Sequence, residues 1–382
     1  MVLLATVSGL SPFTLSIILP ALPALAGRYG TDTAGIQFLV SGYLLGLALS
    51  QPLWGPLADR IGRRPTILAG LALFVAASLA CLFATGLEAL VALRTLQGMG
   101  SSAGTVVARA VIRDTHDSDA AGRAMSLIAV GLGSAPIVAP VIGGALLVWG
   151  DSGALFWVTA VAGAVLWLLL YRGLPETLST RVTPPPASRI LGDYRHLLSS
   201  RGFMGYTSLY GMTQGGFFAF LAVGAEVFRD SFGLGPGVFG IVWGAMGAAY
   251  VVGALLGGRL SSGARRPLLL PVTASATLVL ALLLVGLDRA AGATLLTVLL
   301  PLSLMMILAG VITPLAMAGA VYQEPELAGT AAGLSSALGM TLGGSFTVAS
   351  GVLYVGDFSP VAALIATAGT LTFLSWLLVR RL

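Results

Sequence analysis

The sequence predicts an all-α membrane protein in which twelve transmembrane helices form two pseudo-symmetric six-helix bundles. Of its 382 residues, 57% are hydrophobic and only 9% are charged, whereas an average soluble protein is about 25% charged. Long apolar runs recur twelve times, and one motif is repeated 202 residues further on, from Gly55 to Gly257. A soluble domain could not cover so much apolar surface with polar groups. A soluble enzyme and a disordered chain are therefore both excluded.

The apolar runs define the spans, because a helix needs about 20 apolar residues to cross the hydrocarbon core. Their Leu-, Ala- and Gly-rich, non-alternating composition excludes the strands of a membrane barrel. The first run continues through Pro20 and Pro23 to Arg28 and lacks a basic start, so we expect a retained helix and not a signal peptide. The predicted spans cover residues 2–26, 34–57, 66–86, 89–110, 124–148, 153–171, 203–225, 237–260, 267–287, 293–317, 329–351 and 358–379.

The basic residues, all of them arginine, predict the orientation. If both termini are cytoplasmic, the outer loops hold only Arg28, Arg229 and Arg289, and Arg94 lies inside a span. The other arginines then fall on the cytoplasmic side, as the positive-inside rule requires. This predicts a multi-pass protein of the bacterial inner (plasma) membrane. The short basic clusters, separated by apolar runs, do not indicate nucleic-acid binding.

The chain divides at a polar stretch that contains Thr183-Pro184-Pro185-Pro186. We expect an N-terminal six-helix bundle at 1–172, a cytoplasmic linker at 173–202 and a C-terminal six-helix bundle at 203–382. After its second span each half carries Gly, Arg-Arg and Pro in the same register, at 55–65 and at 257–267. Duplicated halves are typical of secondary transporters, which bind substrate between the halves.

Several motifs resemble one family, the major facilitator superfamily. They are Gly55-Pro-Leu-Ala-Asp59-Arg60-Ile-Gly62-Arg63-Arg64-Pro65 between spans, Arg94-Thr-Leu-Gln97-Gly98 in the fourth span, Leu174-Pro-Glu176-Thr-Leu178 after the sixth, and an antiporter-type fifth span with Gly131, Pro136, Pro140, Gly143 and Gly144. Two further segments, around Pro20 and around Arg113, resemble the bicyclomycin/chloramphenicol-resistance (Bcr/CflA) drug-efflux subfamily.

This resemblance implies the major facilitator fold and drug efflux by proton antiport. It also implies a cytoplasmic gate network of Asp59, Arg63, Arg113 and Asp114, although a solvated loop with only topological charges is the alternative. The chain departs from the subfamily at Ser16, where an Asp is usual four residues before the first Pro. That departure leaves the coupling mechanism open.

Arg94 is the strongest single candidate, because an Arg at the centre of a span costs about 2.5–3.5 kcal/mol to insert and usually faces a cavity or a partner. Gln97 shares its helix face. We expect Arg94 to face the substrate pathway. The alternatives are that it snorkels to the outer surface or that it braces loops structurally.

Ser16 and Glu226 are candidates for the proton pathway. Ser16 is a polar residue beside prolines, which is typical of a broken, cavity-lining helix, or of a hydroxyl bonded to its own helix. Glu226 could be a buried proton carrier, or an interfacial residue next to Arg229 and Asp230.

The remaining candidates are aromatic and amide side chains within spans. An aromatic cavity with a few polar groups suits a drug-sized amphipathic ligand, although each of these residues could equally belong to the core. They are Tyr43, Tyr210, Gln214, Phe217 and Trp243.

The sequence thus predicts a secondary active transporter that exports amphipathic small molecules or antibiotics by proton antiport with rocking alternating access. A uniporter or metabolite exporter of the same fold, without coupling in the first helix, is the alternative, and an intramembrane enzyme or sensor is a remote one. We expect no enzyme activity, no cofactor, no metal and no nucleotide, because the spans hold no histidine and the chain has no phosphate-binding loop. The expected partners are a small-molecule substrate, protons and the lipid bilayer, and we expect the protein to be a monomer.

Overall fold

The computed structural model describes residues 2–115, 118–178, 187–260, 266–324 and 327–380, and within these ranges the regular structure is entirely helical. Helices follow from the apolar runs, because a bilayer offers no partner for an unpaired backbone group and a helix satisfies these groups within one segment. The predicted all-α membrane fold is confirmed.

The N-terminal half makes six crossings. The first two are each interrupted, so that α1 with α2, and α3 with α4, form one crossing apiece. The elements are α1 (Val2–Ile17), a 3₁₀ turn (Leu19–Ala21), α2 (Leu22–Tyr29), α3 (Thr33–Ile36), α4 (Phe38–Ile61), α5 (Arg63–Cys81), α6 (Leu87–Thr115), α7 (Ser118–Trp149) and α8 (Gly153–Gly173).

A short helix, α9 (Ala187–Ser199), precedes the six crossings of the C-terminal half. These are α10 (Arg201–Phe232), α11 (Pro236–Leu260), α12 (Arg266–Ala291), α13 (Leu295–Tyr322), α14 (Ala328–Leu353) and α15 (Ser359–Arg380). Within the described ranges, nine helical segments have the length and hydropathy of a bilayer crossing. The helices α6, α7 and α10, of 29, 32 and 32 residues, are long enough to cross as well, which is consistent with the predicted twelve crossings.

Proline breaks the first crossing. Pro20 lies in the 3₁₀ turn and Pro23 in the first turn of α2. A proline inside a helix removes a hydrogen bond and clashes with the preceding turn, whereas it is tolerated in the first turn of a new helix. The chain therefore restarts as α2 instead of continuing α1.

In the described part of the chain, the buried apolar contact between the two halves lies at one face. We call the face that carries the start of α1 (Val2) and the end of α15 (Arg380) the terminal face, and the other the distal face. The largest buried apolar cluster contains residues of both halves, from Leu15 and Leu39 to Phe220 and Phe358. The clusters nearer the terminal face each belong to a single half. The halves are thus sealed together on the distal side.

Small residues form the two seams between the halves. Along α7 and α11, a Cβ on Gly144 would lie 2.7 Å from the Pro236 carbonyl oxygen, and one on Gly244 would lie 2.7 Å from that of Ile137. Along α4 and α14, a Cβ on Gly351 would lie 2.7 Å from the side chain of Gln37. Glycine permits this close backbone approach.

Both seams end near the middle of the helices. On α7, Ser134 lies on the same helix face as Ile137 but one turn nearer the terminal face, and it is exposed. On α14, Thr341 lies one turn nearer the terminal face than Gly344, on the same helix face, and it is also exposed. The halves therefore separate toward the terminal face and leave a chamber open on that side.

We predict that Gly244→Val shifts the protein away from this conformation. The added methyl groups meet a carbonyl of α7, and overpacking of this kind typically costs about 1–3 kcal/mol. Spin labels at Phe83 and Val355, both exposed near the distal face, should move apart in electron-spin distance measurements.

Gly286→Val is the matched control, because a Cβ there meets no atom within 4 Å. An unchanged label distance in Gly244→Val would show that the seam tolerates the extra volume.

Candidate functional site

Arg94 is the centre of a buried network in the N-terminal half. Its side chain is 1% exposed. Nη1 donates to Gln97 Oε1 at 2.5 Å and to the Thr14 carbonyl at 3.4 Å, and Nε donates to the Leu39 carbonyl at 3.4 Å. The guanidinium carbon lies 4.5 Å from the centre of the Tyr43 ring. Carbonyl dipoles and a π face thus stabilise the charge, and no carboxylate of the described residues pairs with it.

The network extends through hydroxyl groups to four helices. Tyr43 donates to the Ser11 carbonyl at 3.0 Å, and its hydroxyl lies 2.8 Å from Ser101 Oγ. Gln97 Nε2 donates to Ser78 Oγ at 2.7 Å. Arg94 therefore neither snorkels nor lines the open chamber in this conformation, because α1, α4 and α5 enclose it. Predicted neighbours Gln97 and Tyr43 do lie beside it.

Ser16 is buried near the end of α1, 2% exposed. It lies just before the proline break, as the sequence indicated. A serine there can hold a hydrogen bond but no charge, so the first crossing carries no carboxylate at the family's usual position.

A polar patch of the C-terminal half faces the chamber. Thr313 Oγ1 donates to Gln214 Oε1 at 3.5 Å, and the Tyr250 side chain lies beside Thr313. Tyr210 lies close enough to Tyr250 to interact with it electrostatically. Two predicted residues, Tyr210 and Gln214, are thereby grouped with Tyr250 and Thr313, which were not among the predicted site residues.

Arg109 faces this patch from the other half. It lies on α6, is exposed, and interacts electrostatically with Tyr210. In the sequence, Arg109 counts among the cytoplasmic charges at the end of the predicted span 89–110 and belongs to the segment around Arg113 that resembles the drug-efflux subfamily, but it was not predicted as a site residue. The helix α6 continues to Thr115, so Arg109 lies within the helix.

Aromatic rings form the distal wall of the C-terminal half. The ring centroids of Phe217 and Phe220 lie 5.5 and 5.9 Å from that of Trp243. With Met246 and Met305 they enclose an apolar cavity of about 30 Å³. The predicted pair Phe217 and Trp243 is thus brought together, with a polarisable, adaptable lining.

Glu226 lies beneath a polar cleft on the distal face. The cleft, about 490 Å³, is walled by both halves, including Asp32 and Tyr354. Arg229 Nε pairs with Asp230 at 2.7 Å, and the Tyr354 hydroxyl donates to Asp230 at 3.2 Å. Glu226 is 1% exposed, and among the described residues neither of its carboxylate oxygens has a hydrogen-bond partner. It is buried instead of lying at a solvated interface.

The predicted gate residues form an ion network within one half. Arg63 Nε donates to Asp114 Oδ2 at 2.8 Å, and Arg63 Nη1 also pairs with Asp59. This joins α4, α5 and α6 at the terminal face. The side chain of Arg113 lies outside the described residues. In this conformation the network does not bridge the halves within the described part of the chain.

Glu176 ties the end of the sixth crossing to the start of the third. Its carboxylate accepts hydrogen bonds from the backbone N–H groups of Arg63 at 2.9 Å and Arg64 at 3.2 Å. An acid at a helix N-terminus is stabilised by the unpaired N–H groups and the helix dipole. Burial raises the pKa of the Glu176 carboxyl, but its hydrogen bonds outweigh this effect and hold the pKa below its ordinary 4.5. The donors are the N–H groups of Leu178, Arg63, Arg64 and Thr177.

The small residues of α7 place this helix between the halves. Gly131 packs on the Ala5 carbonyl and Gly143 on that of Ile17, both in α1. On the other side, Gly144 meets Pro236, and the carbonyls of Pro140 and Pro136 meet Gly240 and Gly247 of α11. The fifth crossing therefore contacts both halves through backbone.

The chain belongs to the Major Facilitator Superfamily, which it matches over residues 4–381. It is accordingly a multi-pass membrane transporter of small molecules and not an enzyme.

Several bacterial transporters are similar to this chain. It is 31% identical to Multidrug resistance protein D of Escherichia coli, over 88% of this chain and 83% of that protein, and 30% identical to the MFS-type transporter YdgK of Bacillus subtilis, over 89% and 85%. A Chloramphenicol resistance protein of Pseudomonas aeruginosa is 32% identical over 68% of this chain and 62% of its own length. The crystal structure of a D-xylose–proton symporter shares the fold, with a TM-score of 0.77 at 16% identity over 98% of this chain and 96% of that one.

We predict that Arg94→Lys destabilises the protein. A lysine keeps the charge but lacks the planar fork that reaches Gln97 and two carbonyls, and a lost hydrogen bond to a charged group typically costs about 1.5–3 kcal/mol. Thermal unfolding in detergent should show a lower midpoint, whereas Arg28→Lys, at an exposed position, should leave it unchanged. Equal unfolding midpoints for native protein and Arg94→Lys would contradict a stabilising role of the Arg94 network.

We predict a pH-dependent loss of stability in Glu176→Gln. Because the folded pKa lies below the ordinary value of 4.5, the carboxylate stabilises the fold at neutral pH, and this contribution disappears as the pH falls from about 4.5 through the folded pKa. The variant should melt earlier than the native protein at pH 7, and the difference should shrink in acid. Glu88→Gln, exposed at the start of α6, is the control. If the difference in melting temperature between Glu176→Gln and native protein did not change with pH, the charge of the Glu176 carboxylate would not be the source of the stabilisation.

Proposed function

We propose that this protein exports amphipathic small molecules, including antibiotics, from the bacterial cytoplasm by proton antiport. The main support is geometric: the halves are sealed on the distal face and apart on the terminal face, so the chamber opens to one side only. The terminal face is cytoplasmic in this proposal, as the arginine distribution predicts. Relatives named for multidrug and chloramphenicol resistance favour drug-like substrates.

Transport then follows from rocking of two bodies, residues 1–172 and 203–382, joined by the linker at 173–202 and acting as a monomer. Separation of the two seams opens the distal face, and closure of the terminal face brings the halves together there. The Asp59–Arg63–Asp114 network, with Arg113, would meet the other half only in that second state. Ion pairs present in one state alone bias the equilibrium between the two.

The substrate would bind in the chamber between the halves. Tyr210 and Gln214 supply polar contacts, while Phe217 and Trp243 supply an apolar wall, a combination that suits a drug-sized amphipath. Tyr43, Arg94 and Gln97 stabilise the N-terminal wall around α1, with Ser16 at its break.

Glu226 is the coupling residue of this proposal. A buried carboxylate without a partner is costly when charged, so a proton there stabilises the sealed distal face. When the seams separate, water from the distal side reaches the carboxylate and supplies the proton. For antiport this proton must leave toward the terminal side, through the chamber, after the seams have closed. Protonation thus changes the relative stability of the two states, which is what coupling requires.

The second candidate is a uniporter of the same fold. It is favoured by one observation, Ser16 in place of the usual acid, because the first crossing then carries no titratable group. In that case export would not depend on the proton gradient.

The test compares native protein with Glu226→Gln in an efflux-deficient bacterial host and in proteoliposomes. We expect the native protein to confer resistance to phenicol-type and other amphipathic antibiotics, and a protonophore to abolish it. Glu226→Gln should lose at least about tenfold of the accumulation against a gradient yet keep downhill flux, because a fixed neutral side chain cannot exchange a proton.

Glu88→Gln, exposed on the same side of the membrane, is the matched control and should behave as native protein. Full accumulation by Glu226→Gln at every pH would exclude Glu226 as the coupling site. Export that is insensitive to the protonophore would favour the uniporter.

A further inference from the structure

The chamber presents hydrogen-bond donors from both halves. Arg109 offers guanidinium N–H groups, which can only donate. Tyr210 of the other half interacts electrostatically with Arg109, and Tyr250 and the Gln214 amide belong to the same polar patch. Gln214 Oε1 already accepts from Thr313, which leaves its NH₂ group free to donate. A ligand that satisfies this set carries acceptor atoms.

The charges of the transmembrane region are also one-sided. Every described carboxylate lies in a loop, in the short helix α9 or near the end of a long helix, and the one deepest in a crossing, Glu226, is six residues from the end of α10 on the distal side. Arg109, the exposed arginine of this region, lies far from the distal end of α6, and among the described residues it forms no ion pair with a carboxylate. The chamber wall is therefore net positive.

The positive wall acts in a region of low dielectric constant. Charges interact there far more strongly than in water, and the summed field of a cleft lined by one sign of charge attracts the opposite one. A lipophilic cation would enter against Arg109 and find no carboxylate beside it, whereas an anion or a neutral acceptor would gain charge-assisted hydrogen bonds.

We propose that the chamber selects amphipathic molecules whose polar end is an anion or a neutral hydrogen-bond acceptor, such as a carboxylate, sulfonate or nitro group, and that Arg109 sets this preference. Lipophilic cations are disfavoured substrates. The inference refines the exporter proposed above and rests on it for the direction of transport, but the binding preference can be measured without any transport.

The experiment uses two ions of the same shape and opposite charge, tetraphenylborate and tetraphenylphosphonium. Equilibrium binding of each to the purified full-length protein is measured in a neutral detergent, with empty micelles subtracted. We expect tetraphenylborate to bind roughly tenfold or more tightly, as one uncompensated charge across a few ångströms of protein would give. Arg109→Gln should bring the two affinities together, and Arg109→Lys, which keeps the charge, should preserve most of the ratio.

Arg60→Gln is the matched control, because Arg60 is exposed at the end of α4 outside the chamber, and its affinity ratio should equal the native one. Equal binding of the two ions by native protein, or binding of neither, overturns the charge preference. An unchanged ratio in Arg109→Gln, with Arg109→Lys equally unchanged, overturns the role of this residue.

The export assay separates the two proposals. If cationic drugs are exported as well as neutral and anionic ones, the selectivity is wrong while the exporter stands. If no compound is exported although tetraphenylborate binds more tightly, the exporter is wrong and the binding preference stands.

Discussion

The structure depends on close contact between helix backbones at the distal seams. Glycines of α11 lie against carbonyl oxygens of α7, and Gly351 of α14 lies against Gln37. Such contacts have little side-chain volume to rearrange, so a seam is either closed or open. Gln37 reinforces the closed form, because its amide donates across the boundary to the Ala222 carbonyl. This one closed boundary makes the chamber open to a single side.

The helix α7 links the seam to the first crossing. It packs on α1 through Gly131 and Gly143, and on α11 through Gly144. A displacement of α11 is therefore passed by direct contact to α1, whose carbonyl at Thr14 accepts from Arg94. The seam, the broken first helix and the buried arginine network form one continuous set of contacts, and rigid contacts of this kind can carry coupling between distant sites.

The fold could be predicted because it follows from the solvent. Apolar runs of about 20 residues leave no alternative to helices, and the repeat from Gly55 to Gly257 marks the duplication. Side-chain environments were harder, since a helical wheel gives the face of a residue but not what covers it. Arg94 was expected to face the substrate pathway and is enclosed by carbonyls of α1 and α4. For Glu226 the sequence left a buried and an interfacial position open, and the side chain is buried. Arg109 was overlooked because nothing in its own segment shows that Tyr210, about 100 residues later, lies opposite.

The enclosure of Arg94 has a consequence for biosynthesis. Its acceptors at Thr14 and Leu39, and the Tyr43 ring beneath it, all precede it along the chain. During synthesis these groups leave the ribosome before α6 does. The Arg94 guanidinium can therefore bind to helices that are already inserted in the membrane. The charge of Arg94 makes insertion of α6 alone unfavourable, but its hydrogen-bond acceptors and the Tyr43 ring are already in the membrane when α6 enters. The order of the helices along the chain therefore favours assembly of the N-terminal half.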